Sequence, residues 1–362
     1  MPRIYIKSDG SVEPATAPIE RIGNYYKLKE NITMKTIVIQ RDNIVLDGSH
    51  HLIERNNVNI TNLNIERFTT GIRISNSSYI NIFGNSFKEE TAVFDTPAGI
   101  TIEASSHILI ENNIFTSING PAIFCDGANI IIRGNTLNGI FDSIDGSIAL
   151  KGSSNIITDN KIETVFPSIR LSEASANIIA RNNIEGGISL ISSSNNMIFG
   201  NNLTSIRLIF SSNNTIHGNC MTSNIGLDTI ELDQGAANNT FYGNSFPANC
   251  SVRINDAGTN FWDNGAMGNY WTDYNGTDSN GDGIGDSPYI ILGVKWDNAV
   301  GGDVSFVAAY DNFPLMEPYN IEHDDIISPQ TESSLALLVA AAVVVVAVIS
   351  AGFLIYFKKH KH

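Results

Sequence analysis

Through the middle of the chain, apolar residues recur in two short patterns. One is a pair two positions apart, running from Ile72/Ile74 through Ile100/Ile102, Ile148/Leu150, Ile169/Leu171 and Ile206/Leu208 to Ile230/Leu232. A spacing of two marks a strand with one face buried. The other is I-x-x-N-x-apolar, centred on Asn85, Asn113, Asn135, Asn160, Asn182, Asn201, Asn219 and Asn244, at intervals of 18 to 28 residues. Small residues such as Ser77-Ser78, Ser105-Ser106 and Ser193-Ser194 lie between the two patterns, where the chain must turn without bulk. Each unit reads as strand, tight corner, strand, Asn corner.

A unit this short cannot bury its own apolar face, so successive units must stack with equivalent residues about 4.8 Å apart. The expected fold is all-β, a parallel β-helix whose Ile columns line a dry interior and whose Asn column passes amide hydrogen bonds from coil to coil. A leucine-rich repeat would show an L-x-x-L-x-L frame with a helical half, and a helical solenoid a 3.6-residue period; neither is present. Strand-like runs in residues 1–47 are expected to cap the first coil, with the repeats occupying 48–249. The pattern stops after Phe246, so residues 250–318 read as a separate aromatic- and Asp-rich end module.

Composition changes this picture at the C-terminal end. From Leu335 to Phe357 the chain carries no charge, a run of 23 residues that as a helix spans about 35 Å. It predicts a transmembrane helix, preceded by an acidic stalk (319–334) and followed by a basic tail (358–362) with Lys358, Lys359 and Lys361. The positive-inside rule puts that tail in the cytoplasm and the rest outside, extracellular or periplasmic. Met1–Gly10 reads as strand and turn, so the export signal expected of such a chain is not visible in this sequence. The net charge of −15 excludes a nucleic-acid partner, which would need a basic stripe. Three cysteines rule out a disulfide framework; Cys125 reads as core filling, and a Cys220–Cys250 bridge is left open.

Four features carry candidate chemistry. In Asp278-Ser-Asn280-Gly-Asp282-Gly-Ile284-Gly-Asp286 oxygen side chains alternate with glycines, which is the pattern of a structural Ca²⁺ loop. The twelfth position is Tyr289 where an EF-hand would place Glu. Trp262, Tyr270, Trp271 and Tyr274 cluster nearby, either as the core of the end module or as sugar-stacking faces. Between the paired apolars, an outward column reads Arg73, Thr101, Phe124, Ala149, Arg170, Ser189, Arg207 and Glu231, a strip able to grip a glycan. Glu231 and Asp233 share a face, and with Asp142/Asp145 they are the candidate carboxylates; Arg170 or Arg207 would be the base of a lyase.

The segments NNTIHGNCM and NNMIFGNNL, the opening IYIKSDGSVEPATAPIERIGNYYKL and the stretch NYWTDYNGTDSNGDGIGDSPYII resemble the NosD-type β-helix family, including its carbohydrate-binding and sugar-hydrolase-like relatives and archaeal-type surface proteins. The resemblance covers nearly all of the soluble part and implies right-handed coils. The resemblance is specific for the fold and not for one activity; the leading reading is a surface protein that binds a polysaccharide or glycoprotein or supports the envelope, because binding and scaffolding ask least of these residues. The alternatives are a polysaccharide lyase or hydrolase and a copper-maturation protein. Copper is disfavoured by the residues, since His50-His51, His107, His217, Met197 and Met221 are not grouped.

Overall fold

A computed structural model describes residues 3–23, 25–29, 36–39, 45–47, 58–61, 64–66, 70–88, 98–141, 145–164, 167–222 and 228–319. Among them every regular element is a strand, and no helix is long and apolar enough to cross a membrane. The uncharged run 335–357, the stalk and the basic tail lie outside the described residues. Residues 1–319 form one compact unit, a parallel β-solenoid of the right-handed type with about eight turns.

A coil has three strand segments, the first two running on as one strand in Ala98–Glu111 and Ile123–Arg133. The first carries the apolar pair, as in Ile169–Ser175, Gly187–Ile191 and Ser205–Ile209. The second leads to the Asn corner, as in Ile178–Ala180, Met197–Phe199 and Thr215–His217. The third follows the Asn and builds a ten-stranded sheet of its own, from Asn64–Glu66 to Tyr270–Trp271. The sequence pattern shows two strands per unit because the third is often two or three residues long. Its trace is the apolar residue two after each Asn, such as Phe115, Leu137 and Ile162, which is fully buried.

Coils stack without slippage on the second face, where Ile82, Ile110, Ile132, Ile157, Ile179, Ile198, Ile216 and Phe241 pair in unbroken parallel register. All eight are fully buried, each worth about 1.5–3 kcal/mol relative to exposure. At the corner, each Asn accepts on Oδ1 from the backbone N–H and Nδ2 of the Asn one coil earlier. Asn135 N and Nδ2, for example, lie 3.0 and 2.9 Å from Asn160 Oδ1. The Asn160 amide donates in turn to the Ile132 and Thr158 carbonyls at 2.9 Å. A second ladder, Asn155, Asn177, Asn196, Asn214, Asn239 and Asn260, runs up the corner between the first and second strands. From Asn155 to Asn239 each sits five positions before a first-ladder Asn, a spacing present in the sequence.

The N-terminal runs form strands as expected. Arg3–Ile6 pairs with Val12–Glu13 and with Thr36–Ile39, while Tyr25–Leu28 pairs with Val45–Asp47, which joins the stack at Val58–Thr61. Tyr26 is buried and its hydroxyl donates to the Gly10 carbonyl at 2.8 Å.

The stack does not stop at Phe246. Val252–Asn255 pairs with Ile230–Asp233, Tyr270–Trp271 with Ser245–Phe246, and Asn260 and Asn269 extend the two ladders. Residues 250–318 thus supply the last coil and its cover. The pattern is hidden because Trp262 replaces the expected aliphatic residue and a loop separates it from Asn269. Trp262 stacks on Phe241 at 4.7 Å, Trp271 on Phe246 at 4.4 Å and Tyr289 on Trp271 at 4.3 Å, plugging the open end. A hairpin closes it: Tyr289–Asp297 pairs with Val252–Arg253 in parallel and with Gly302–Asp311 in antiparallel fashion. The first Asn ladder ends on Asp311, whose Oδ2 accepts from Asn269 N at 2.7 Å, Asn269 Nδ2 at 3.2 Å and Trp271 Nε1 at 2.9 Å. A Cβ on Gly268 would lie 1.7 Å from Asp311 Oδ1, so only glycine fits there.

Candidate functional site

The first strands bring the predicted outward column into register coil by coil: Arg73, Thr101, Phe124, Ala149, Arg170, Ser189, Arg207 and Glu231, extended by Arg253. Inward Ile and Leu residues on either side are buried, and that burial fixes the register and turns these side chains to the other face of the strand, where Thr101, Ala149 and Ser189 are nonetheless buried. Its C-terminal half is the polar part. Arg170, Ser189, Arg207, Glu231 and Arg253 stand on successive coils, spaced about 4.8 Å apart.

Each guanidinium there meets a carboxylate. Arg170 Nη1 lies 3.7 Å from Asp145 Oδ1. Arg207 Nε lies 2.9 Å from Glu231 Oε2, an ion pair by distance but off the hydrogen-bond direction. Arg253 is clamped twice, by Asp228 at 2.6 Å and by both oxygens of Asp303 at 2.9 and 2.8 Å. Asp228 also accepts from the Ser251 hydroxyl at 2.6 Å. The column legible in the sequence ends at Glu231: Arg253 and Asp303 belong to a coil and hairpin that the repeat pattern does not reveal, while Asp228 lies just ahead of the Ile230/Leu232 pair and only the stacking shows that it meets Arg253.

Burial pushes the Glu231 carboxyl above its ordinary range; Arg207 pulls it back, and Asp233 and Asp228 push it up further. Asp233 follows on the same strand, in register with Ile209 and Asn255. The arrangement offers alternating donors and acceptors at coil spacing and a carboxyl able to hold a proton at higher pH than usual. Asp142 lies outside the described residues, so the Asp142/Asp145 pairing has no geometry to report.

In the Asp278–Asp286 loop the side chains hold the backbone. Asp278 accepts from the N–H groups of Gly281 at 2.7 Å and Gly283 at 2.9 Å, and Asp282 from that of Ile284 at 2.9 Å. Asn280 accepts from the Asp282 N–H at 3.0 Å. Asp286 takes the Ser279 and Thr277 hydroxyls at 2.6 and 2.9 Å, and they hold its carboxyl below its ordinary range. Ile284 bridges to Leu315, docking the loop on the solenoid's last coil. Among the described residues no three His, Cys, Asp or Glu side chains gather as a metal-holding group. Of the nearby aromatics, Trp262 and Trp271 are core residues at 2% exposure. Cys125, Cys220 and Cys250 are all free, and Cys125 is buried in the core as expected.

The fold and this face define a class: a parallel β-solenoid with a polar outward strip. The chain belongs to the family of periplasmic copper-binding proteins (NosD), whose profile matches residues 28–207 and 123–276. No curated protein matches it. Among solved structures, DFA-IIIase from Arthrobacter chlorophenolicus A6, in a mutant form, is 15% identical over 72% of this chain and 75% of that one, with a TM-score of 0.41. The alginate lyase of Paenibacillus sp. str. FPU-7 is 14% identical over 66% and 91%, with a TM-score of 0.36. Likeness of this degree says nothing of activity.

The family description implies copper, and the described residues do not fit it. Copper sites draw on clustered imidazole, thioether or thiolate donors. His217 is buried between the rings of Phe199 and Tyr242, each at 5.0 Å, and His107 stacks on Tyr79 at 4.8 Å. Met221 faces the core, whereas Met197 points outward from a different strand. His50 and His51 lie outside the described residues.

Proposed function

We propose that this protein is a glycan-binding β-solenoid of the cell envelope, held at a membrane by residues 335–357 with its solenoid outside the cytoplasm. One observation carries the reading: Arg170, Arg207, Glu231 and Arg253 line up on one outward face in parallel register, with the buried Ser189 filling the coil between Arg170 and Arg207. A repeating strip of donors and acceptors suits a repeating ligand rich in hydroxyls. The family's periplasmic description supports the placement outside. Ca²⁺ at Asp278, Asn280, Asp282 and Asp286, with the backbone of Ile284, belongs to the same proposal as a structural ion, supported by an all-oxygen donor set.

The test is retention of arrayed polysaccharides by the full chain, with product formation followed in parallel. Retention should be lost in the double variant Arg207→Ala, Glu231→Gln; equal retention by variant and wild type would overturn the reading. A second reading, lyase or hydrolase, is favoured by the raised proton affinity of Glu231 beside Arg207 and Asp233. It requires depolymerised product that disappears in Glu231→Gln alone.

A further inference from the structure

The polar strip does not end at Arg253. Arg253 pairs with Val294 in parallel register, and parallel partners point to the same side of a sheet. Residues 292 and 296 share that side with Val294, and Trp296 and Leu292 lie opposite Asp303 and Val307 in the hairpin. Asp303, the Arg253 partner, therefore stands directly across from Trp296. Two of the chain's three tryptophans are core residues at 2% exposure; Trp296 is 58% exposed. Its Nε1 donates to Asn298 Oδ1 at 3.1 Å, a bond at the ring edge that orients the indole. Leu292, Val307 and Tyr310 extend the apolar surface beside it.

The geometry points to Trp296 as the platform on which one sugar ring of an uncharged glycan stacks, its hydroxyls meeting Arg253, Asp303 and Glu231. This inference rests on the glycan-binding reading and adds the ligand's charge class and the residue that fixes its end. The charge class follows from the strip itself. Arg170, Arg207 and Arg253 stand among Asp145, Asp228, Glu231, Asp233 and Asp303, so the face has no positive excess to attract uronates, sulfated sugars or anionic lipid. A sugar ring presents C–H groups to the indole and hydroxyls to the ion pairs, matching both halves of the surface.

The full chain is titrated with neutral β-1,4-linked glucan and mannan hexasaccharides and with a hexauronide. At least one neutral hexasaccharide is expected to bind and shift the Trp296 emission to the blue, with the hexauronide weaker. Trp296→Ala should weaken binding about tenfold, with Trp296→Phe restoring most of it and the melting temperature unchanged in both. Binding with no emission shift and unchanged affinity in Trp296→Ala would overturn the platform while leaving the strip in place. Preference for the hexauronide would overturn the charge class. A fall in sedimenting mass in Trp296→Ala, with glycan affinity intact, would make the patch a contact between copies and overturn the platform. No binding of any hexasaccharide or arrayed polysaccharide would remove the glycan reading and this inference together.

Discussion

At the scale of single residues, the ladder terminus is where charge replaces amide. Every Asn of the ladder must both accept from the coil before and donate to backbone carbonyls, whereas Asp311 only accepts: its Oδ2 takes three N–H groups and its Oδ1 takes Phe313 N–H at 3.1 Å. Burial outweighs those hydrogen bonds and raises its carboxyl to about 6. A carboxyl raised above its unfolded value of 3.8 favours folding most when protonated, so its contribution is full below about pH 4 and is lost as pH rises toward 6. Asp311→Asn cannot titrate. The stability difference, wild type minus variant, should therefore shrink between pH 4 and 6 and then level off, as read from denaturation midpoints. A flat difference across that range would contradict the assignment.

At the scale of elements, burial decided what could be read in advance. Ile169 and Leu171, or Ile179 and Ile198, are buried residues whose alternation or recurrence survives in the letters, so the first and second strands were visible. The third strand leaves no period in the sequence because a segment such as Asn183–Ile184 is too short to show one. The hairpin Tyr289–Asp297/Gly302–Asp311 escaped because it belongs to no repeat. Hence the column through Arg207 and Glu231 is legible in the sequence, whereas Arg253 and its hairpin partner Asp303 are not. The Asp278–Asp286 loop is a case where the residue types were legible and the geometry was not. Its carboxylates are turned onto their own backbone, so binding an ion must re-aim them. Millimolar Ca²⁺ should raise the melting temperature of the full chain, and Asp282→Asn should abolish that rise. An identical melt with Ca²⁺ or with chelator would remove the ion from the proposal.

At the scale of the whole solenoid, each coil touches mainly its two neighbours, so stability is close to a sum of coil and interface contributions. Asn182 and Asn201 are equivalent positions 19 residues apart. Excising residues 183–201 therefore removes one complete coil and rejoins both ladders, Asn182 to Asn219 and Asn177 to Asn214. The shortened chain should keep a β-sheet circular dichroism spectrum and cooperative unfolding, with a melting temperature lower by about 10 °C or less. Loss of cooperative unfolding would show that coils are not interchangeable units.

The first Asn ladder also has a direction: every amide pair hands its protons to the residue one coil later in the chain. A stack that ended at any one coil would leave two donors, the backbone N–H and Nδ2 of its last ladder Asn, without the acceptor that the next coil supplies. The series closes only at Asp311, 42 residues after Asn269. A chain cut short of that carboxylate would end in an open strand edge, a template for pairing with another chain.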